Sequence, residues 1–355
     1  MAWATPEYDL PTVNAAGKKL IEDRFPLSDD SMLKVVNNWR SIHSYPLNAF
    51  QITLRRRGRQ FEKSIIVSQR IKRLESIHAK LMRQSSMRLS QMQDVAGCRI
   101  VFKDIRNVRR LVDRYKRGSK KGKLEHKLVG EKDYIRYPKA DGYRSYHLVY
   151  EYTGSSKSAC WSGRKIEIQV RTQLQHAWAT AVEAVGIFTR QALKSNQGDE
   201  EWRRFFALMA TAIAAIEGCA PVPGVPTDRN KLNRELGFLA SKLNVEAVLA
   251  AYNMSLNYTA ERVKEAKYFL VDLDPATRNV KVARFRARQS EAANETYTEW
   301  ERRIPEGSDR QVVLVSVDSI SALKRAYPNY FLDTGRFADL VSQVLRDDYP
   351  DPLIG

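Results

Sequence analysis

From residue 165 to 171 the chain reads Lys-Ile-Glu-Ile-Gln-Val-Arg, with Ile166, Ile168 and Val170 alternating against Glu167, Gln169 and Arg171. Period two marks a strand with one apolar face and one open face. Such a strand is either a solvated edge or, because its open face carries an acid, an amide and a guanidinium, a ligand-binding ladder. Ile65–Val67 leading into Arg70, Cys98–Phe102 and Ser145–Tyr152 predict further strands. Helical spacing covers Glu75–Arg83 and Val108–Tyr115 and resumes from Gln173. That alternation predicts an α/β (α+β) domain over residues 61–195, a mixed sheet flanked by helices.

The pattern changes on either side. Residues 1–60 read as an irregular and helical lead-in ending in Arg55-Arg56-Arg57-Gly58-Arg59. Arg114–Lys132, rich in Lys and Gly and without periodicity, is expected to be a mobile basic loop. Residues 196–266 predict a helical extension, with Glu201–Glu217 an amphipathic or buried helix and Pro221-Val-Pro-Gly-Val-Pro226 a linker. Residues 267–355 predict a C-terminal module: a hairpin of Lys267–Leu273 and Asn279–Arg286, a helix over Glu291–Arg303, a strand over Gln311–Val317, and a helical stretch Ser319–Ala326.

Charge alters the picture more than size does. In 355 residues, 59 Lys and Arg face 41 Asp and Glu, a net charge of +18 that implies an anionic partner, nucleotide or nucleic acid. Three scattered cysteines without a CxxC pair and five dispersed histidines argue against an ordinary zinc site or a disulfide framework. The first residues lack the basic and apolar regions of a signal peptide. The apolar run Phe205–Ile216 is shorter than the roughly 20 residues a bilayer requires. A cytoplasmic protein without a membrane segment is expected.

Four clusters carry candidate chemistry. In Arg70-Ile-Lys72-Arg-Leu-Glu-Ser76-Ile-His-Ala-Lys80-Leu-Met-Arg83, Ser76 and Lys80 are one helical turn apart, with Ile77 and Leu81 turned inward. Cations and a hydroxyl near a helix start can cradle phosphate, although a charged surface helix has the same spacing. Asp94 precedes the strand holding Gly97 and Arg99, where an acid either caps a turn or binds a hard cation such as magnesium. Lys139-Ala-Asp141-Gly142-Tyr143-Arg144-Ser145-Tyr146-His147 places an Asp-Gly turn before an aromatic, a cation and a histidine. Tyr143 there is either incidental to the turn or a flat face for a base. The fourth cluster is the Glu167–Arg171 ladder.

Taken in order, Arg-x-Lys-x-x-x-Ser-x-x-x-Lys, Asp-x-x-Gly-x-Arg, Lys-x-x-Gly-Tyr-x-Ser-x-His and Glu-x-Gln-x-Arg-Thr resemble the RelA/SpoT synthetase domain over about residues 50–190. The resemblance implies transfer of the β,γ-pyrophosphate of ATP to a ribose hydroxyl, with release of AMP. It implies that Arg70 and Arg99 stack on adenine, and that Lys72, Ser76, Lys80 and Arg83 hold the triphosphate. Asp94 and Glu167 would bind Mg2+, with Glu167 also the base. Tyr143 would stack on the acceptor base, and Lys139, His147, Gln169 and Arg171 would position the acceptor. The chain has no His-Asp pair, so the hydrolase activity of longer members is not expected, and the tail of ribosome-bound members is not recognisable. Two acceptors fit the family: GDP or GTP, giving guanosine alarmones, or the 3′ CCA end of tRNA, as in its toxic subgroup. The C-terminal module resembles the antitoxin half of the fused CapRel type, a pseudo-zinc-finger shape followed by a Tyr-x-x-Tyr plug. That likeness implies autoinhibition by Tyr327 and Tyr330, a phage capsid protein as activator and a role in anti-phage defence. A catalytically silent nucleic-acid-binding module is the reading from another class.

Overall fold

The computed structural model describes residues 3–22, 30–120, 126–192, 199–253, 257–260, 266–274, 277, 279–305, 308, 310–316, 323–325, 327–331 and 334–351. The lead-in forms three helices, α1 (Leu10–Glu22), α2 (Asp30–Ser41) and α3 (Ser44–Gly58). Then come β1 (Ile66–Ile71), α4 (Leu74–Arg83), β2 (Ala96–Phe102), α5 (Ile105–Lys120), β3 (Lys127–Asp133), β4 (Tyr146–Glu151), β5 (Lys165–Thr172) and α6 (Gln173–Ala192). A helical layer continues with α7 (Asp199–Glu217), α8 (Arg229–Lys242) and α9 (Val245–Asn253). After β6 (Asn257–Ala260) the chain forms β7 (Ala266–Asp274), β8 (Asn279–Arg286), α10 (Ser290–Arg302), β9 (Gln311–Ser316) and α11 (Gly335–Leu345).

The nine strands among the described residues belong to one mixed sheet in the order β3-β4-β5-β2-β1-β9-β7-β8-β6. β5 pairs antiparallel with β4 and parallel with β2, so the 165–171 ladder is an interior strand. The solvated-edge reading is thereby excluded. β1 joins the two halves, pairing antiparallel with β2 along its length and with β9 at Gln69↔Ser316 and Arg70↔Val315. The predicted hairpin is β7–β8, and it extends the same sheet.

The alternating residues sort onto two faces. Cys98, Ile100, Ile166, Ile168 and Val170 are buried in the main core with Leu47, Phe50 and Leu54 of α3 and Leu111 of α5. Gly97, Arg99, Glu167 and Gln169 line a cavity on the other face. A second core lies among α6, α7, α8 and α11, with Trp178, Phe205, Leu236 and Phe337 in it.

Three expectations need correction. Arg114–Lys132 is not one loop: Arg114–Lys120 ends α5, Lys127–Asp133 is β3, and residues 121–125 lie outside the described residues. The aperiodic composition hid an edge strand whose side chains stay half-exposed. Pro221–Pro226 is packed rather than a free linker, since Val222 and Val225 are buried and the Val222 amide donates to Thr211 Oγ1 at 3.1 Å. Arg171 is not on an open face; it is 3% exposed. Of the stretch 319–326, only residues 323–325 are described, as helix.

Candidate active site

The strand-to-helix junctions place the site. Thr172 Oγ1 accepts from the Gln175 amide at 3.1 Å while Gln175 Oε1 accepts from the Thr172 amide at 3.3 Å. This reciprocal cap starts α6 directly after β5 and fixes where the ladder ends. Gly142 has φ +92°, and a Cβ there would lie 2.7 Å from Ala210 Cβ, so the Asp141-Gly142 turn tolerates no side chain at that point. The turn is pinned by Asp141 Oδ1 accepting from the Tyr143 amide at 2.9 Å. Gly97 sits over Glu167, its missing Cβ 3.4 Å from the Glu167 carbonyl oxygen.

Side chains from β1, α4, β2, β3, β5 and the 134–147 segment enclose a cavity of about 770 Å³. Arg70, Lys72, Ser76, Lys80, Arg83, Asp94, Arg99, Lys139, Tyr143, His147, Glu167, Gln169 and Tyr327 all line it. Arg171 does not; it stands at the buried end of the ladder, where its charge is felt by Arg99 and His176. The side chain of Tyr330 lies outside the described residues.

A hydrogen-bond chain runs across the sheet. Glu167 is the acceptor-only member, so orientations follow from it. His147 Nδ1 donates to Glu167 Oε1 at 2.9 Å, leaving Nε2 to accept from the Tyr143 hydroxyl at 2.9 Å. From the other side Gln169 Nε2 donates to Glu167 Oε2 at 2.7 Å, and Arg171 Nη2 donates to Gln169 Oε1 at 2.7 Å. Burial pushes the Glu167 carboxyl up, but donation from His147 and Gln169 prevails and its pKa lies below the ordinary value. The Asp94 charge is felt there too, opposing that shift.

Asp94 receives Lys72 Nζ at 3.0 Å and Lys80 Nζ at 2.6 Å. Burial raises its pKa, yet the two ammonium groups bring it below the usual carboxylate range. Burial lowers Lys72 by more than Asp94 restores. The two partners shift by opposite balances: Asp94, with two ammonium neighbours, is held ionised, while Lys72, with one carboxylate and the Arg70 and Lys80 charges nearby, is moved towards its neutral form. Among the described residues no three His, Cys, Asp or Glu side chains converge as a metal cluster. Two carboxylates on one cavity still suit Mg2+, a hard cation that takes few protein ligands and keeps its waters.

At the far end, burial and the neighbouring Arg171 and Arg70 charges bring Arg99 down to about 10. The Tyr327 ring, 1% exposed, stands with its centroid 5.7 Å from the Arg99 guanidinium. His176 Nε2 donates to the Arg325 carbonyl at 3.3 Å, tying that segment to α6.

Residues 69–191 match the family model described as the region found in RelA / SpoT proteins. The chain is 36% identical over 122 residues to GTP pyrophosphokinase YjbM of Bacillus subtilis (strain 168), covering 32% of this chain and 52% of that protein. It is 34% identical over 116 residues to GTP pyrophosphokinase YwaC of the same strain, covering 31% and 52%. It thus spans about half the length of these relatives. Small alarmone synthetase 1 from Bacillus subtilis bound to its product pppGpp aligns over 52% of this chain and 94% of its own, at 24% identity and a TM-score of 0.42. The RelA/SpoT match covers the strands and helices that build the cavity from Gln69 onward.

Three further residues were not singled out from the sequence. Tyr134 meets the His147 ring edge-on at 5.2 Å and lines the cavity beside Lys132. Tyr137 is 67% exposed, with the Arg136 guanidinium 5.4 Å from its ring centroid. The run Asp133-Tyr-Ile-Arg-Tyr137, two aromatics and a cation just before the Pro138-Lys139 motif, was the available signal. Glu301, which accepts from the Leu74 amide and from Arg40, had none, because these partners lie 227 and 261 residues away. No helix among the described residues is long and apolar enough to cross a membrane.

Proposed function

We propose that this chain transfers the β,γ-pyrophosphate of ATP to a ribose 3′-hydroxyl, releasing AMP, and is held inactive by Tyr327. The observation carrying the reading is the single cavity shared by Asp94, Glu167 and the cations of β1 and α4. Lys72, Ser76, Lys80 and Arg83 would take the triphosphate; its oxygens would draw Lys72 and Lys80 away from Asp94. Asp94 would then be released to hold Mg2+ with Glu167. When bound, that ion neutralises phosphate charge and polarises the β-phosphoryl group. Glu167, kept ionised by His147 and Gln169, accepts the acceptor hydroxyl's proton, and each of its oxygens retains a second lone pair for doing so. Tyr143, with Lys139 Nζ 5.1 Å from its ring centroid, would stack on the acceptor base.

Arg70 and Arg99 would stack on adenine, and Tyr327 already lies against Arg99. Occupation of that place by a tyrosine from the C-terminal region supports autoinhibition of the fused toxin–antitoxin kind, relieved by a phage capsid protein. For the acceptor, the 3′ CCA end of tRNA is favoured by Tyr137 and Arg136. They stand exposed beside the acceptor end and could engage a nucleotide preceding the terminal one. Arg57 over Tyr115, and Arg110 and Arg114 over Phe61, add a basic face where α3 meets α5. GDP or GTP is the second reading, favoured by the two GTP pyrophosphokinase relatives.

Incubation with γ-labelled ATP plus GDP, GTP or deacylated tRNA tests all of this. Label entering tRNA with release of AMP supports the first acceptor, and label entering a guanosine nucleotide supports the second. ATP left intact in every mixture, with wild type and with Tyr327→Ala alike, would overturn the enzymatic reading in favour of a silent nucleic-acid-binding module.

A further inference from the structure

A buried ion pair joins three distant parts of the chain at the start of the phosphate-facing helix. Arg40, near the end of α2, is 3% exposed, and Glu301, in the last turn of α10, is 9% exposed. Arg40 Nη1 donates to Glu301 Oε2 at 2.8 Å and to Asn37 Oδ1 at 2.8 Å. Arg40 Nε donates to the Lys72 carbonyl at 3.1 Å. Glu301 Oε1 accepts from the Leu74 amide at 3.0 Å. The Tyr297 ring lies 4.8 Å from the guanidinium. Burial alone would lower the Arg40 pKa; Glu301 and Tyr297 more than offset it, so the guanidinium stays charged.

Desolvating two charges gives little net stability, and pairs of this kind are as often replaceable by apolar residues. What distinguishes this one is where its remaining hydrogen bonds go. The N-cap position of α4, Arg73, makes no side-chain cap. Glu301 supplies one from another part of the chain, at the helix end where a carboxylate is favoured by the exposed amides and the dipole. Arg40 holds the carbonyl two residues earlier. The turn between Lys72 and Leu74 is therefore clamped on both sides, with Lys72 on one flank and Ser76 and Lys80 on the other.

We infer that Glu301 is a positioning residue for the nucleoside triphosphate site, acting through the Lys72–Leu74 turn. The C-terminal region, which places Tyr327 in the cavity, also completes the phosphate cradle. This rests on the pyrophosphokinase reading above. It follows that activation moves Tyr327 out of the cavity while α10 and β9 stay docked. β9 is held to β1 by strand pairing and to α3 by the buried bond from Gln51 Nε2 to the Ser316 carbonyl, 2.8 Å. Complete detachment of the C-terminal region would leave Arg40 buried without its counter-charge and α4 without its cap.

The test uses the full chain carrying Tyr327→Ala, titrated calorimetrically with Mg2+ and α,β-methylene-ATP and separately with whichever of deacylated tRNA and GDP takes the label in the transfer assay, alongside an unfolding midpoint. Adding Glu301→Ala is expected to weaken the ATP analogue about tenfold, the scale of a lost helix cap, while affinity for that acceptor moves less than about twofold. Glu301→Gln, which keeps an oxygen for the Leu74 amide, is expected to return the analogue to within about threefold of the parent. The charge swap Arg40→Glu with Glu301→Arg rebuilds an ion pair but can neither cap Leu74 nor donate from position 40 to the Lys72 carbonyl. It should recover the midpoint lost in Glu301→Ala without recovering analogue binding. Analogue affinity in Glu301→Ala equal to the parent's, or a loss shared equally by the acceptor and restored by the swap, would overturn the inference and leave the pyrophosphokinase reading intact. A Tyr327→Ala parent that binds no analogue would overturn both.

Discussion

The two halves of the sheet are built from similar strands and used in opposite ways. In β7 and β9 nearly every residue is buried, one face packing Phe269, Val271, Val313 and Val315 against Leu323 and Tyr327, the other packing Leu270, Val312 and Leu314 against Ala293 and Tyr297. In β5 and β2 only one face is filled; Glu167, Gln169, Gly97 and Arg99 are left on the other. A sheet covered by apolar side chains on both faces has no room for chemistry, and its strands read as continuous hydrophobic runs. A half-covered strand keeps its alternation and carries its acids into a cavity. The halves meet at β1, where Arg70 faces the cavity and pairs with Val315 of the filled half.

The sharpest way to break this contrast is to neutralise the polar half without touching the filled one. Glu167→Gln keeps the size of the side chain but removes the charge that His147 and Gln169 converge on and turns one accepting oxygen into a donor. AMP release is expected to fall at least about 1,000-fold, with the unfolding midpoint within a few degrees of wild type. Retained turnover, or a large loss of midpoint, would show that the polar face is structural after all. Next in size comes the link between halves. Tyr327→Ala, alone or with Tyr330→Ala, is expected to raise AMP release tens of fold and to turn a tolerated protein into a growth-stopping one. Unchanged growth and turnover would leave Tyr327 as an ordinary core residue of the filled half. In that half, Leu270→Ala, on the face away from Tyr327, should cost about 2–5 kcal/mol by denaturant titration. The KM for ATP measured on the remaining folded protein should stay unchanged. A KM shift there would mean that the two faces are mechanically coupled beyond the Arg40–Glu301 clamp.

Much of the polar half was legible because its information is local. The alternation at 166–170, the i, i+4 pair Ser76 and Lys80 and the Asp141-Gly142 turn each lie within a few residues, and the structure brings Glu167, Gln169, Ser76, Lys80 and the turn's flanking residues Lys139 and Tyr143 to one cavity. The strands β7, β8 and β9 were equally readable as elements. What the pattern could not carry was their union with β1, since register between strands some 245 residues apart leaves no local trace. The same reason conceals Glu301, a charged residue at a helix end whose ordinary reading is a solvated face. β3 was misread because half-exposed Lys and Glu at an edge look like loop composition. Arg171 was placed in the open because period two predicts the face of a residue but not what α6 lays over it.

The smallest effect bears on the lysine-bound carboxylate at the rim of the polar half. The Asp94 pKa is depressed below 3.8 because Lys72 and Lys80 outweigh burial. A group whose folded pKa is lowered contributes stability that is fully present above its unfolded value and is lost as pH falls through the folded one. Asp94→Asn removes that contribution and leaves two partly buried ammonium groups without their counter-charge. Its side chain is 22% exposed, so the gap between wild type and variant should be about 1–2 kcal/mol at pH 7, less than for a fully buried pair. The gap should hold from pH 7 down to about pH 5 and close below 3.8, where protonation makes wild type resemble the variant. Denaturant titrations of both proteins across that range measure it directly. A gap that instead widened on acidification would mean that Asp94 is destabilised by its charge in the folded state, and the lysines would then have to be pointing at something other than this carboxylate.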